Sequence, residues 1–299
     1  MRISIIIPTY NRADLLPETL ASVLAQTRRP DEIIVVDDGS TDSTPTLLAN
    51  YSTSVITLRQ PNAGRSAARN AGMARSTGDL LMLLDSDDLL LPESIERLAG
   101  FLEANAGYDV AYSSAQVIDG AGAAVGMFGS GRYPSGDVFA QIAQNNFFPP
   151  CAYLFRRACL QTVGGFDRTL EPMEDFDFWV RMAAAHRFAY LDVPLCAYRV
   201  HEAMSMKTQQ AEFPPQAVEI QRRVFAMPAF ARLSAREKAA LYCSHGTKNL
   251  RIGDKAAARA AYLSAIRTAP LHPRAYLLLA LDTLIGQRRL AWTDKRETQ

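Results

Sequence analysis

The stretch 80–91, LLMLLDSDDLLL, runs five apolar residues, Leu80 to Leu84, straight into three carboxylates, Asp85, Asp87 and Asp88. A short apolar run broken in this way reads as a buried central strand of a parallel sheet. Three like charges at its carboxyl end are costly to bury unless a cation or a set of donors compensates them. In an open α/β sheet the carboxyl ends of the strands are where ligands bind. Oxygen-only donors suit Mg or Mn, with phosphate oxygens completing the coordination. The stretch therefore implies a divalent metal and a phosphorylated substrate at one sheet edge.

The segments on either side alternate strand and helix signals. Ile3–Ile7, Glu32–Val36 and Val55–Leu58 are β-branched or apolar runs, and Val110–Ser113 is a further one. Between them, Leu15–Gln26 places Leu16, Leu20, Val23 and Leu24 on one helical face, Ser43–Asn50 suits a short helix, and Arg65–Arg75 is Ala- and Arg-rich. Pro92 opens a helix that runs to about Asn105. This β-α alternation predicts an α/β fold with a mostly parallel sheet covered by helices. Residues 119–136 are rich in Gly, Ala and Ser and predict a hairpin with a mobile loop. Helix signals return at Val138–Gln144 and Glu174–Ala185, with strands at Phe188–Leu191 and Leu195–Val200.

From about Gln209 strand signals cease, which divides the chain into an expected catalytic domain, 1–208, and a helical region, 209–299. There GDKAAARAAYLSAIRTAP, 253–270, places Ala258, Tyr262 and Ala265 at helical spacing before Pro270. The pattern resembles the second helix of a tetratricopeptide unit, and a plain amphipathic hairpin fits it equally well. One such unit cannot bury its own face, so it is expected to cap the catalytic domain or a partner.

Composition narrows the class. The 299 residues are 48% hydrophobic and 21% charged with a net charge of +1, an ordinary globular balance with no strong pull toward nucleic acid. Cys151, Cys159, Cys196 and Cys243 lack CxxC spacing and read as reduced packing thiols of a cytoplasmic protein. No run approaches the ~18 apolar residues of a membrane span. Contact with the inner face of a membrane, through the C-terminal helices, stays open.

Three strands end in chemically loaded turns: Pro8-Thr9-Tyr10-Asn11-Arg12, Asp37-Asp38-Gly39-Ser40, and Asp85-Ser86-Asp87-Asp88. Each alone is ordinary turn or N-cap chemistry. In a parallel sheet they share one edge and can line one pocket.

SIIIPTYNR, IIVVDDGSTD, NAGRSAARNAG, LLMLLDSDD and GGFDRTLEPMEDFDFWVRM together resemble the signature blocks of family 2 glycosyltransferases of the GT-A fold, in order, from about residue 2 to residue 206. The resemblance implies transfer of a sugar from a nucleotide-sugar, usually a UDP-sugar, to an acceptor hydroxyl with inversion. By resemblance Pro8, Thr9, Tyr10 and Arg12 belong to the nucleotide site, with Tyr10 stacking on the base. Asp38 matches the acceptor of the uracil N3 hydrogen bond. Arg65 or Arg69 contacts the nucleotide, Arg69 being preferred because Asn70 completes its ARN triplet. Asp85, Ser86 and Asp87 match the DxD motif, with Asp87 the metal ligand, Asp85 on the nucleotide side and Asp88 toward the sugar.

Asp175 matches the general base, supported by Glu174, while Asp177 reads as solvated or capping and Trp179 as core. Gly164-Gly165-Phe166-Asp167 resembles a turn near the donor sugar, and a tight turn needing positive φ explains it as well. Tyr198-Arg199-Val200-His201 with Ser205 resembles a late element whose histidine, His201, approaches the metal, and 202–210 reads as a lid. The implied cofactor is Mn or Mg. The implied partners are the nucleotide-sugar and a carbohydrate, lipid-linked or protein acceptor, as in polysaccharide, glycolipid or glycoprotein assembly in the cell envelope. With no long hydrophobic C-terminal region, single transfer is expected rather than processive polymerisation. Two other classes compete. A nucleotidyltransferase would carry a Gly-rich, Lys-containing loop after the first strand, where PTYNR stands. A non-catalytic sugar-nucleotide sensor or scaffold would have no need of Glu174 and Asp175.

Overall fold

Runs of Ile, Val and Leu build the sheet, and the breaks after them build the site. The structure is a computed structural model that describes residues 1–129, 133–147, 151, 153–201 and 213–284. The strands are β1 (Ile3–Thr9), β2 (Glu32–Asp37), β3 (Ile56–Arg59), β4 (Leu80–Leu83), β5 (Leu89–Leu90), β6 (Val110–Ile118), β7 (Ala124–Phe128), β8 (Tyr153–Arg156) and β9 (Phe188–Arg199). The helices among them are α1 (Leu16–Leu24), α2 (Thr44–Ala49), α3 (Arg65–Arg75), α4 (Ser94–Ala104), α5 (Phe139–Gln144), α6 (Leu160–Val163) and α7 (Glu174–Ala185). Then follow α8 (Phe213–Ala226), α9 (Pro228–Arg232), α10 (Ala235–Arg251), α11 (Lys255–Thr268) and α12 (Pro273–Leu284).

The strand order is β3-β2-β1-β4-β8-β6-β9-β5, with β7 paired to β6. β3, β2, β1 and β4 are parallel, as are β6 and β9, while β8 runs antiparallel between β4 and β6. β5 and β8 are absent from the predicted strands, and β5, at two residues, is too short to show a period. The two strands predicted between Phe188 and Val200 are one, bent by register shifts opposite Ser113 to Ala115.

Alternation along β1 and β2 sends Ile3, Ile5, Ile7, Ile33 and Val35 to one face, against Leu16, Leu20 and Val23 of α1 and Ile95, Leu98 and Leu102 of α4. Ile34 and Val36 pack on the other face with Ala68 of α3. A Cβ at Gly72 would stand 2.3 Å from Ile6 Cγ2, so glycine is what lets α3 lie close on the sheet.

The chain divides into two compact units, 1–138 with 147–208, and 139–146 with 209–299. The second takes in α5, a short helix lying within the expected catalytic span. Its core joins Ala239, Cys243 and Leu250 of α10 to Ala258, Tyr262 and Ala265 of α11. The Tyr262 ring covers Gly246, where a Cβ would come within 2.3 Å. Ser234 and Glu237 form a capping box on α10, and Asp254 caps α11.

The expectation of four reduced thiols is overturned. Cys151 and Cys196 form a disulfide, with Cα atoms 6.2 Å apart, whereas Cys159 and Cys243 are free and buried. The pairing joins residues 45 positions apart, a tertiary contact that local spacing cannot reveal. Among the described residues no helix is long and apolar enough to cross a membrane. Ser205, the expected lid 202–210 and part of the 119–136 loop lie outside the described residues.

Candidate active site

The parallel half of the sheet brings the three loaded turns to one edge, where hydrogen bonds knit them together. Asn11, at φ 51°, receives Thr41 N on Oδ1 at 2.8 Å and donates its own N–H to Ser40 Oγ at 2.9 Å. Asp37 Oδ1 accepts from Ser40 N at 2.8 Å, tightening the second turn. Asp38 accepts from Gln60 Nε2 at 2.7 Å, Ala63 N at 3.0 Å and Gly64 N at 2.9 Å, so its carboxylate also holds the segment leading into α3.

These turns line a cavity of about 330 Å³. Its wall includes Pro8, Thr9, Tyr10, Arg12, Asp38, Arg65, Arg69, Asp85, Ser86 and Asp87, ten residues that the sequence reading assigns to the donor and metal. Asn62, Gly64, Ala68 and Glu171 complete it and were not anticipated. Tyr10 is 45% exposed, an aromatic face open to a planar ligand. Glu171 Oε1 accepts from Ser66 N at 2.7 Å, which sets a carboxylate at the first turn of α3. Gly64 has φ 90°, a conformation that side-chain-bearing residues rarely adopt.

Arg69 is the hub. Its guanidinium is buried and donates to Glu174 Oε1 at 2.8 Å and Asp85 Oδ1 at 2.7 Å. It therefore ties the first carboxylate of DSDD to the first residue of α7. Arg65 pairs with the same Glu174 oxygen at 3.5 Å, with its side chain 31% exposed. Both arginines line the cavity, Arg69 held by protein carboxylates and Arg65 the more exposed of the two. Asp175, next along α7, is half-buried, and burial, then Glu174, pushes its carboxyl up to about 6.

The three carboxylates of the DSDD turn separate. Asp87 Oδ2 lies 3.0 Å from His201 Nε2 and 3.8 Å from Arg12 Nε. Asp88 does not reach the cavity wall. It is buried, its Oδ1 accepts from Arg199 N at 2.8 Å, and its Oδ2 has no hydrogen-bond partner among the described residues. Burial, with Asp87 and Asp85 nearby, raises the Asp88 carboxyl well above its ordinary range. The buried Arg199 side chain also holds this turn, donating to Asp87 O at 2.9 Å and Glu18 Oε2 at 2.6 Å.

One further expectation changes: Asp177 is not solvated, being 1% exposed and paired with Arg181 at 2.7 Å, one helical turn on. In the glycine pair, Gly164 has φ 68°, the positive-φ turn that is one of the two expected explanations, and a Cβ on Gly165 would stand 2.5 Å from Asn70 Oδ1, which itself accepts from Phe166 N at 2.8 Å. Trp179 is core, its ring edge-on to Tyr153 at 4.5 Å.

A buried arginine thus joins the acidic sheet edge to a second acid pair. The family model for glycosyl transferase family 2 matches residues 4–164, and the chain belongs to that family. It is 35% identical over 196 residues to an uncharacterized glycosyltransferase of Bacillus subtilis, YwdF, which covers 62% of this chain and 70% of that protein. An uncharacterized glycosyltransferase of Rickettsia felis is 32% identical over 206 residues, 67% of this chain and only 33% of that protein. The fold is shared with S. aureus TarS 1–349 in complex with UDP-GlcNAc, at a TM-score of 0.69 and 21% identity, covering 100% of this chain and 93% of that one. It is also shared with the mannosyltransferase PcManGT of Pyrobaculum calidifontis in complex with GDP-Man and Mn2+, at a TM-score of 0.59, 18% identity, and coverage of 95% and 80%. Family and relatives make the chain a glycosyltransferase.

Proposed function

We propose that the chain transfers a sugar from a UDP-sugar to an acceptor hydroxyl in a single inverting displacement that depends on a divalent metal. The observation that carries this reading is the Asp85–Arg69–Glu174 bridge, which couples the metal-type turn to the acid pair that opens α7. Tyr10 stacks on the base and Asp38, on the cavity wall, accepts from it. Acceptance from a ring N–H favours uracil over cytosine, which has no donor there. Arg65 reaches the diphosphate.

The donor set fits a divalent ion. Asp85 and Asp87 line the cavity, His201 Nε2 stands beside Asp87, and the unpartnered Asp88 Oδ2 marks a local excess of negative charge. Asp87 and His201 would hold Mn or Mg, which when bound neutralises charge on the departing diphosphate. Asp175 takes the proton from the acceptor hydroxyl as its oxygen attacks the anomeric carbon. A carboxyl raised to about 6 is a stronger base than an ordinary aspartate and is still ionised at neutral pH. Glu174, fixed by Arg69 and Arg65, orients it. The acceptor is a carbohydrate, lipid-linked or protein hydroxyl. The expected setting is cell-envelope polymer assembly on the cytoplasmic side.

The test is Asp175→Asn, assayed for UDP release from UDP-sugars with Mn, alongside UDP affinity by calorimetry. Turnover should fall by about 10²–10⁴-fold with nucleotide affinity retained. Undiminished turnover would remove Asp175 as the base. A wild-type chain that binds and turns over only GDP-sugars would overturn the uracil assignment to Asp38.

A further inference from the structure

The sheet edge opposite the donor cavity gathers a second set of metal-capable side chains. Asp109 immediately precedes β6, Cys159 lies in the 3-10 turn after β8, and His186 closes α7 just before β9. β8 runs antiparallel to β6, and β9 parallel to it, so the three turns meet. Main-chain bonds hold them together: Asp109 N donates to Arg187 O at 2.9 Å, Arg156 N to Asp109 O at 2.9 Å, and Arg187 N to Asp109 Oδ2 at 3.2 Å. One donor atom of each of the three side chains lies within 4.8 Å of the other two.

We propose that Asp109, Cys159 and His186 form a second metal site, separate from the donor cavity, that takes a zinc-class ion and staples the starts of β6 and β9 to the end of β8. A sulfur, a nitrogen and an oxygen donor suit Zn and are a poor match for Mg or Mn. His186 Nδ1 stands 3.4 Å from Asp109 Oδ2. Two ligands bound at ~2.0–2.1 Å to a tetrahedral ion lie roughly 3.3 Å apart. A direct hydrogen bond would bring them to about 2.7–3.2 Å. The pair is therefore spaced as co-ligands rather than as donor and acceptor.

The other ring nitrogen, Nε2, is buried with no hydrogen-bond partner among the described residues. With Nδ1 as the ligand, Nε2 is the nitrogen that carries the proton. Cys159 is 1% exposed, while the side chains of Asp109 and His186 are 31% and 15% exposed. The soft ligand is thus at the floor and the hard ones at the mouth, which gives the ion a path in and leaves a fourth position for water.

Two other uses of this cluster fail on the same observations. A Cys-His-Asp nucleophile needs an accessible thiolate. Here the Cys159 side chain is enclosed, only 1% exposed. A disulfide needs a second sulfur beside Cys159, but Cys151 and Cys196 are bonded to each other and Cys243 is buried in the core of the helical unit. The site does not depend on the sugar-transfer reading, although α7 carries Glu174 and Asp175 at its other end, so a fixed His186 also fixes the frame of the acid pair.

The experiment is cobalt titration of the chelator-stripped full chain, without a histidine tag, using Co2+ alone. One equivalent should bind with a near-ultraviolet sulfur-to-cobalt charge-transfer band and tetrahedral ligand-field bands, and added Zn2+ should bleach them. Cys159→Ser should abolish the charge-transfer band. His186→Gln, at a partly exposed position that tolerates a polar side chain, should weaken cobalt binding by tenfold or more and carries the test if the serine variant does not fold. Asp87→Ala should leave the spectrum unchanged. Absence of a sulfur band in the wild type, its survival in Cys159→Ser, unchanged affinity in His186→Gln, or its loss in Asp87→Ala would each overturn the proposal.

Discussion

In the sheet unit Arg69 is buried between two carboxylates, Asp85 and Glu174, each within 2.8 Å of its guanidinium. In the helical unit Lys248 is half-buried, and its Nζ donates to Gln144 O at 3.1 Å, Gln221 Oε1 at 2.6 Å and Ser244 Oγ at 2.9 Å. Burial, with Arg251 adding to it, lowers the Lys248 ammonium to about 7. Its neighbour His245 is lowered to about 4 by burial, Lys248 and Arg222. A carboxylate on each side holds the charge of Arg69, whereas burial works against the charge of Lys248.

The largest expected effect is on the compensated side. Arg69→Met leaves Glu174 buried without its main partner and should cost about 3–5 kcal/mol of stability. Urea or thermal unfolding of the full chain measures it, and Arg69→Met combined with Glu174→Gln should recover part of the loss. If the single variant is as stable as wild type, the bridge does not organise the site and the contrast collapses.

The helical unit predicts a pH dependence through Lys248. Folded Lys248 sheds its proton near 7, whereas the unfolded side chain holds its proton to about 10.4. Between those values the unfolded chain binds more protons, so stability contributed by the helical unit rises with pH, by at most ~1.4 kcal/mol per unit. Hydrogen exchange of α10 amides in the full chain, compared between pH 7 and pH 9 at matched intrinsic rates, should show the added protection. Lys248→Met should erase it. A flat wild-type profile would mean that the ammonium stays charged.

The smallest effect sharpens the comparison within the site. Asp175 must be ionised to act as base, and its carboxyl is held up at about 6. kcat/KM should therefore fall roughly tenfold for each unit below that value and level off above it. A profile flat from pH 5 to pH 7 would place the essential carboxylate elsewhere, or lower its burial.

Legibility followed sequence distance. The turns after β1, β2 and β4 could be read because strand, break and acidic residues lie within a dozen positions of each other, and parallel pairing then carries them to one edge. The face of α11 was readable for the same reason: Ala258, Tyr262 and Ala265 repeat at helical spacing. Glu171 was missed because its carboxylate meets Ser66 N across 105 positions and no local pattern marks it. β5 and β8 were missed because neighbouring strands, not their own period, make them strands. Asp177 was misjudged because an acid in a first helical turn is usually exposed, and here Arg181 folds over it.

The sequence by itself determined the family, the α/β class and the identities of the acids, aromatic ring and arginines that line the cavity, since these depend on residue type and short-range order. Only the tertiary structure decided what each charge faces. It sent Arg69 to Asp85 and Glu174 and left the Arg65 side chain 31% exposed on the cavity wall. It sealed Asp88 behind the cavity, joined Cys151 to Cys196, and set Asp109, Cys159 and His186 around one point. Partner choice for a charge or a sulfur is fixed by approach in space and by the loss of water around it. Both arise only when distant segments pack, so neither is written in any local stretch of the chain.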